Sequence, residues 1–260
     1  MKIRAAAVAG AFYDADAGRL HGHLVSMLAG AKAHLGIRPK VLIVPHAGYI
    51  YSGAVAAQAY ATLVPIAADI KRVVLLGPAH RVPLEGMALP DAQAFATPLG
   101  TVALDREAIQ HACTLPGVCI SNEAHRLEHS LEVQLPFLQA VLGQFTLVPV
   151  VVGHCAARTV AAVMDALWGG PETLLVVSTD LSHFHAYADA CSLDARTCSR
   201  VIDKDCSLTG RDACGAYALN GLLSSEHCRQ LAVQELARCN SGDTAGSKDK
   251  VVGYGAFILH

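Results

Sequence analysis

The stretch VLIVPHAGYIYSGAVAAQAYATLV, residues 41–64, contains the pattern that decides the fold. Its first four residues are all apolar, which predicts a short strand that is buried on both faces. A Pro-His-Ala-Gly turn follows, and residues 51–64 then show a helical pattern. A buried strand that leads into a helix is the repeating unit of α/β proteins with a largely parallel sheet.

The same unit recurs along the chain. Apolar runs at residues 73–76, 147–152 and 174–177 predict three more buried strands, and residues 130–142, 156–167 and 187–202 predict helices. Pro136 is expected to kink the first of these helices or to reset its start. The alternation predicts a single-domain α/β fold over residues 1–260, with a largely parallel or mixed central sheet and helices on both faces.

Two segments depart from this alternation. Residues 95–104 (FATPLGTVAL) predict a hairpin, or a loop with an edge strand, because Pro98 and Gly100 lie between apolar flanks. Residues 233–238 and 251–259 predict two further strands, separated by a polar loop that contains NSGDTAGSKDK. No internal repeat or linker divides the chain, which favours one domain.

Composition excludes several classes of function. With 16% charged and 53% apolar residues, the chain can bury a large core, and a net charge of -2 provides neither a nucleic-acid footprint nor a polybasic membrane patch. Nine scattered cysteines without a CxxC pair favour a reducing compartment. The apolar N-terminal stretch is too short for a signal peptide, and no run has transmembrane length. We therefore expect a cytoplasmic protein.

Three predicted strands are each followed closely by a histidine: His46, His80 and His183. One such histidine is more often an ordinary polar residue than a ligand. Ligands of open α/β sheets bind beyond the carboxyl ends of the strands, so three histidines at that edge are expected to converge. Histidine is both the commonest metal ligand and a common general acid or base. The pattern therefore predicts a metal site, a catalytic site, or both.

Cys214 is a further candidate ligand, because it lies at the start of a predicted helix, where a thiol pKa is lowered and the thiolate is favoured. The other interpretation is a small buried residue. Glu128 and His129 precede another helix, and either belong to a solvated helix entry or face the same rim as supporting or substrate-binding groups. The chain has no HExxH, Walker loop, GxGxxG or GxSxG motif.

Nine motifs, in order, resemble the Memo family, also known as component B of the AmmeMemoRadiSam system. They are AVAGAFYDAD, PHAGYIYSG, GPAHRVPLEG, FATPLGTV, EHSLEVQLPFL, STDLSHF, ACGAYALNGLL, NSGD and VVGYGAFIL, and they span residues 7–259. The resemblance implies a fold similar to class III extradiol dioxygenases of the LigB type. It also implies radical SAM and AMMECR-type proteins as partners.

The resemblance further implies one metal ion held by His46, His80 and Cys214. His183 matches the acid/base histidine of the related dioxygenases, Asp180 lies beside it, and Tyr51 matches a pocket tyrosine. The related ring-cleaving enzymes use a carboxylate where this chain has Cys214. A thiolate is a softer ligand, so extradiol cleavage does not transfer with the fold. Fe(II) is the first candidate for the metal, with copper or zinc as alternatives.

Two functions are therefore expected. The first is a non-haem iron- or copper-dependent oxidoreductase that acts on a small molecule or peptide. The alternative is a non-catalytic protein that binds a peptide or small ligand in the same pocket. A hydrolase that uses zinc-bound water is a weaker third hypothesis.

Overall fold

The computed structural model describes residues 2–32 and 36–260. Its strands join in one mixed, 12-stranded sheet. The strands are β1 (Ile3–Arg4), β2 (Val41–Val44), β3 (Arg72–Pro78), β4 (Met87–Leu89), β5 (Ala94–Thr97), β6 (Gly100–Leu104), β7 (Val118–Ile120), β8 (Thr146–Val152), β9 (Thr173–Ser178), β10 (His183–His185), β11 (Val233–Asn240) and β12 (Val251–Leu259). The predicted apolar runs all fall within strands of this sheet.

The centre of the sheet is parallel and its margins are mixed. Strands β8, β3, β9 and β2 are parallel neighbours in that order, and β12 then adds to β2 in the antiparallel direction. Every residue of β2 and β9 is buried. Strands covered on both faces need continuous apolar sequence, which is the pattern from which they were predicted. The predicted α/β class with a single domain and a mixed sheet is confirmed.

Helices flank the sheet in separate groups. They are α1 (Ala17–Ala29), α2 (Tyr49–Ala61), α3 (Arg106–Ala112), α4 (Asn122–Arg126), α5 (Leu135–Leu142), α6 (Ala157–Ala166), α7 (Tyr187–Ile202) and α8 (Ala216–Ser224). Helices α1, α2 and α5 contact one another, α6 packs on α8, and α7 packs on β11 and β12. Within residues 2–32 and 36–260, no helix has the length and apolar character needed to cross a membrane.

The helix predicted over residues 130–142 begins later than expected. A short 3-10 helix at Glu132–Gln134 leads into α5, whose second residue is Pro136. Proline lacks the N–H that an interior helical position requires but fits the first turn, so it resets the start as one alternative predicted. The predicted hairpin is also confirmed: β5 pairs with β6 through a turn in which Gly100 has φ of 119°, a conformation that favours glycine.

Sheet register brings the histidine-bearing loops together. Val44, the last residue of β2, lies opposite Ser178, the last residue of β9, and Val177 of β9 lies opposite Leu76 of β3. The three strands therefore end at one edge, and the loops that follow them begin side by side. This register is the physical basis for bringing together the loops that carry His46, His80 and His183, which are between 34 and 137 positions apart in the chain.

A buried ionic network fastens the N-terminal segment beside this edge. Glu132 is fully buried and accepts hydrogen bonds from the Arg4 guanidinium, the Tyr13 hydroxyl, and the backbone N–H groups of Ala7 and Val8. A buried carboxylate requires such saturation with donors. The segment that contains Glu132 is thus packed inside the protein.

Candidate metal centre

Three imidazoles meet at the carboxyl edge of the sheet. One ligand atom from each of His46, His80 and His129 can be chosen so that all three atoms lie within 4.8 Å of one another. The ring centroids are 5.2 Å apart for His46 and His80, and 4.7 Å apart for His80 and His129. Such a cluster can hold a metal ion, because neutral imidazole nitrogens are good ligands for first-row metals.

His46 is the most deeply buried of the three and is held at two points. Its backbone N–H donates to Asp180 Oδ1 at 2.7 Å, and its Nδ1 lies 2.9 Å from Ser178 Oγ. Burial lowers the pKa of His46 well below its usual value, so the ring is neutral in the absence of metal. The other nitrogen, Nε2, faces Cys214.

His80 is held by the carboxylate of Glu128. Glu128 Oε1 accepts from His80 Nδ1 at 2.9 Å, and Oε2 accepts from the His80 backbone N–H at 2.6 Å. Burial opposes ionisation of Glu128, but the hydrogen bonds from His80 and Ser130 outweigh it and lower its pKa to about 2. An ionised carboxylate only accepts, so His80 Nδ1 carries a proton and Nε2 is free to bind metal.

His129 belongs to the cluster but is held differently. Its ring stacks on His80 with an interplanar angle of 24°, meets the His46 ring edge-on, and lies 4.7 Å from the Phe12 ring between centroids. Its Nδ1 is buried and lies 3.3 Å from Glu128 Oε1, but among the described residues it has no partner with hydrogen-bond geometry. Burial lowers the pKa of His129 to about 4. The sequence left His129 either in a solvated helix entry or at the rim as a supporting or substrate-binding group, whereas the structure places it among the potential ligands.

Cys214 contacts the cluster through His46. Its Sγ lies 3.3 Å from His46 Nε2 and accepts from the Asp180 backbone N–H at 3.3 Å. Cys214 is not in the set of ligand atoms that lie within 4.8 Å of one another. A sulfur and a nitrogen that share a tetrahedral ion are separated by about 3.6 Å, given usual bond lengths, so the contact with His46 fits shared coordination.

The thiol of Cys214 does not have the low pKa that its sequence position suggested. Cys214 precedes Gly215, the residue that caps helix α8, but burial and the nearby charge of Asp180 raise the pKa of its thiol to about 12. Desolvation outweighs the helix dipole, which is a smaller effect. Without a metal the sulfur is therefore a neutral thiol, and a bound cation is needed to favour the thiolate.

Asp180 and His183 lie beside the cluster, and Tyr51 lies in helix α2, which begins three residues after His46. Burial raises the pKa of Asp180 to about 7, and its Oδ2 lies 3.9 Å from His46 Nε2. His183 Nδ1 lies 2.8 Å from the carbonyl of Leu181, so Nδ1 carries a proton and Nε2 is left as a base. Tyr51 lies in the first turn of α2, with its ring beside Gly48. The catalytic roles of Asp180, His183 and Tyr51 remain predictions.

Two buried polar residues behind the cluster were not found from the sequence. Ser178 and Gln134 are both fully buried, and Gln134 donates to Ser178 at 2.8 Å. Ser178 ends a predicted strand, so the rule that selected the histidines applies equally to it. Gln134 has no comparable signal, because it lies in a segment that was assigned to an ordinary helix.

Comparison with known proteins agrees with these observations. A family model described as Memo-like protein matches residues 4–258. A MEMO1 family protein of Aquifex aeolicus is 33% identical over 272 residues, covering 100% of both chains. One from Ignicoccus hospitalis is 34% identical over 290 residues, covering 98% of each.

Among the solved structures to which the chain is similar is an uncharacterized protein from Escherichia coli K12. The sequence identity is 12% and the TM-score is 0.47, over 84% of this chain and 99% of that chain. That likeness is too distant to carry a functional argument.

Proposed function

The chain belongs to the Memo-like protein family, and on that premise we propose that it is a metal-dependent oxidoreductase that binds Fe(II) or copper. The observation that carries the proposal is the convergence of His46, His80 and His129, with one ligand atom of each within 4.8 Å of the others. A bound ion of this kind would supply Lewis-acid and one-electron redox chemistry.

The proposed ligands are His46, His80 and Cys214. His46 and His80 qualify because each has one ring nitrogen engaged from behind and the other facing the cluster. Cys214 qualifies because its sulfur is in contact with His46 Nε2. A set of two imidazoles and one thiolate favours iron, copper or zinc over the hard cations magnesium and calcium. His129 borders this set and is the competing third ligand.

The surrounding residues would bind substrate and move protons. His183 donates its Nδ1 hydrogen to the Leu181 carbonyl, so its unprotonated Nε2 could take a proton from a substrate hydroxyl or amine. Asp180 orients the His46 backbone through a hydrogen bond of 2.7 Å. The half-buried position of His183 allows contact with both substrate and solvent. The substrate would be a small molecule or peptide.

The experiment is anaerobic reconstitution of metal-free protein with Fe(II) or Cu(I), followed by measurement of oxygen uptake with a panel of small reductants and substrates. We expect uptake that depends on the metal and that His46→Ala abolishes. His154→Ala is the matched control, because His154 is an exposed histidine paired with Glu85. Stoichiometric metal binding without oxygen uptake across the panel would instead favour the alternative, a protein that only binds a ligand.

The proposal also covers the cellular location of the protein and its partner proteins. We place the protein in the cytoplasm, which the nine free cysteines support, since a reducing compartment keeps thiols unpaired. Radical SAM and AMMECR-type proteins are its proposed partners by family resemblance. Co-purification of these partners with the chain from cells tests that association.

A further inference from the structure

A chain of buried hydrogen bonds begins at Gln134, behind the metal centre. Its Nε2 donates to the carbonyl of Pro45 at 2.8 Å, and its Oε1 accepts from the Tyr60 hydroxyl at 2.9 Å. A carbonyl oxygen can only accept, so the amide cannot be turned around without placing two oxygens in contact. The orientation of Gln134 is therefore fixed, and its Nε2 also donates to Ser178 Oγ, at 2.8 Å.

The hydroxyl of Ser178 has one hydrogen to donate, and its contacts identify the acceptor. Ser178 Oγ lies 2.6 Å from the carbonyl oxygen of Ser130. Two oxygens at that distance need a hydrogen between them, and the carbonyl has none to give. Ser178 therefore donates to Ser130, and accepts from every other neighbour.

The remaining neighbour of Ser178 is His46 Nδ1, at 2.9 Å. Since the hydroxyl hydrogen is already directed to Ser130, this contact is a hydrogen bond only if His46 Nδ1 carries the proton. A neutral imidazole has one N–H, so the lone pair must then lie on Nε2. This nitrogen faces the sulfur of Cys214.

We propose that Ser178 is a positioning residue that holds His46 as the Nδ1–H tautomer, so that Nε2 is ready to bind metal before the ion arrives. The inference rests on the proposed function, because metal binding is what the Nδ1–H tautomer would serve. The position of the proton itself can be measured without metal. Ser178 acts through His46 and does not itself touch the ion or substrate.

One segment, residues 128–134, fixes both ligand histidines. Glu128 accepts from His80 Nδ1, the carbonyl of Ser130 takes the Ser178 hydrogen, and Gln134 occupies the other side of the same hydroxyl. The Ser130 hydroxyl also donates to the carbonyl of Pro78, two residues before His80. The sequence EHSLEVQ therefore serves as a buried support that selects the tautomer of two rings in the loops after different strands.

The decisive experiment is ¹⁵N NMR of metal-free protein that contains ¹⁵N-labelled histidine. Long-range proton–nitrogen spectra distinguish a protonated from an unprotonated ring nitrogen, and loss of signals in His46→Asn identifies the residue. We expect His46 to be protonated at Nδ1. A proton found on Nε2 overturns the proposal, whether or not any variant folds.

Variants then test whether Ser178 is the cause. Ser178→Ala removes the acceptor, and we expect the proton to move toward Nε2 and the affinity for Zn(II) or Co(II) to fall about 10–100-fold. Ser178→Thr retains a hydroxyl and should restore both. Ser225→Ala is the matched control, because Ser225 is equally buried but lies at the end of helix α8 and bonds to Asp165 of helix α6.

These results separate the inference from the proposed function. An unchanged tautomer and affinity in folded Ser178→Ala would show that Ser178 does not set the proton. Absence of metal binding in the unaltered protein, together with a proton on Nδ1, would instead reject the proposed function while leaving the tautomer assignment intact.

Discussion

His46 and His125 are equally buried, with 2% of each exposed, yet they occupy regions of different character. Burial is the main cause that lowers the pKa of both rings, and each has one nitrogen near an oxygen: Nδ1 of His46 near Ser178, and Nε2 of His125 near the carbonyl of Ala88, both at 2.9 Å. The second nitrogen of His46 faces Cys214, whereas Nδ1 of His125 has no hydrogen-bond partner in the part of the chain that the structure describes. A buried neutral histidine is thus insufficient for a metal site; convergence with other donors is what distinguishes the His46 region.

The largest expected loss of metal affinity follows from removing the sulfur of Cys214 from the His46 region. Cys214→Ser should lower the affinity for Fe(II) or Cu(I) by more than about 100-fold, because losing a ligand costs more than losing a group that only supports one. Competition titration measures the affinity. Cys113→Ser and Cys228→Ser are the controls and should bind as the unaltered protein does. An unchanged affinity in Cys214→Ser would reject this ligand and transfer its role to His129.

A smaller loss is expected when the support of His80 is weakened. Glu128→Gln keeps the shape of the side chain but replaces an acceptor-only carboxylate with an amide that also donates, so His80 loses its fixed tautomer. Metal affinity should fall about 10–100-fold. Isothermal titration with Zn(II) tests this, and Glu123→Gln, which changes an exposed glutamate paired with Arg126, is the matched control. Equal affinities for the two variants would contradict a role of Glu128 in orienting His80.

His129→Gln should have a smaller effect still. The ring of His129 stacks on His80, and its Nδ1 lies 3.3 Å from Glu128 Oε1 but makes no hydrogen bond within residues 2–32 and 36–260, so the direction of its lone pair is held less firmly than that of His80. We expect the metal affinity to fall by less than about 10-fold, which is below the usual loss for an orienting group. A greater loss than in Cys214→Ser would show that the three histidines form the ligand set.

His125→Gln should leave metal affinity unchanged and alter only the dependence of stability on pH. Burial lowers the pKa of His125 to about 4, so below its unfolded value of about 6.5 the unfolded chain binds a proton that the folded chain does not. The unaltered protein therefore loses stability as pH falls from about 6.5 toward 4, by up to about 3 kcal/mol from this group. Urea unfolding of both proteins at pH 7 and pH 5 measures the difference. Parallel pH profiles would contradict this assignment.

Much of the fold could be predicted because buried strands and amphipathic helices each have a pattern in the local sequence. Residues 41–44, 187–202 and 251–259 were assigned with the bounds that the structure has. Continuous apolar residues and helical periodicity are properties of neighbouring positions, so they are visible without tertiary information. The predicted start of α5 is too early because the sequence allows Pro136 either to kink the helix or to reset its start, and the structure shows the second, with Pro136 in the first turn.

The sequence by itself determined the α/β class, the family, and which strand ends deliver histidines. Only the tertiary structure decided that His129 joins the cluster, that burial raises the thiol pKa of Cys214, and that Ser178 and Gln134 stand behind His46. The physical reason is that secondary structure follows from local sequence, whereas desolvation and hydrogen-bond direction depend on which distant groups enclose a side chain. Residue type alone therefore cannot specify the protonation state of a buried ligand.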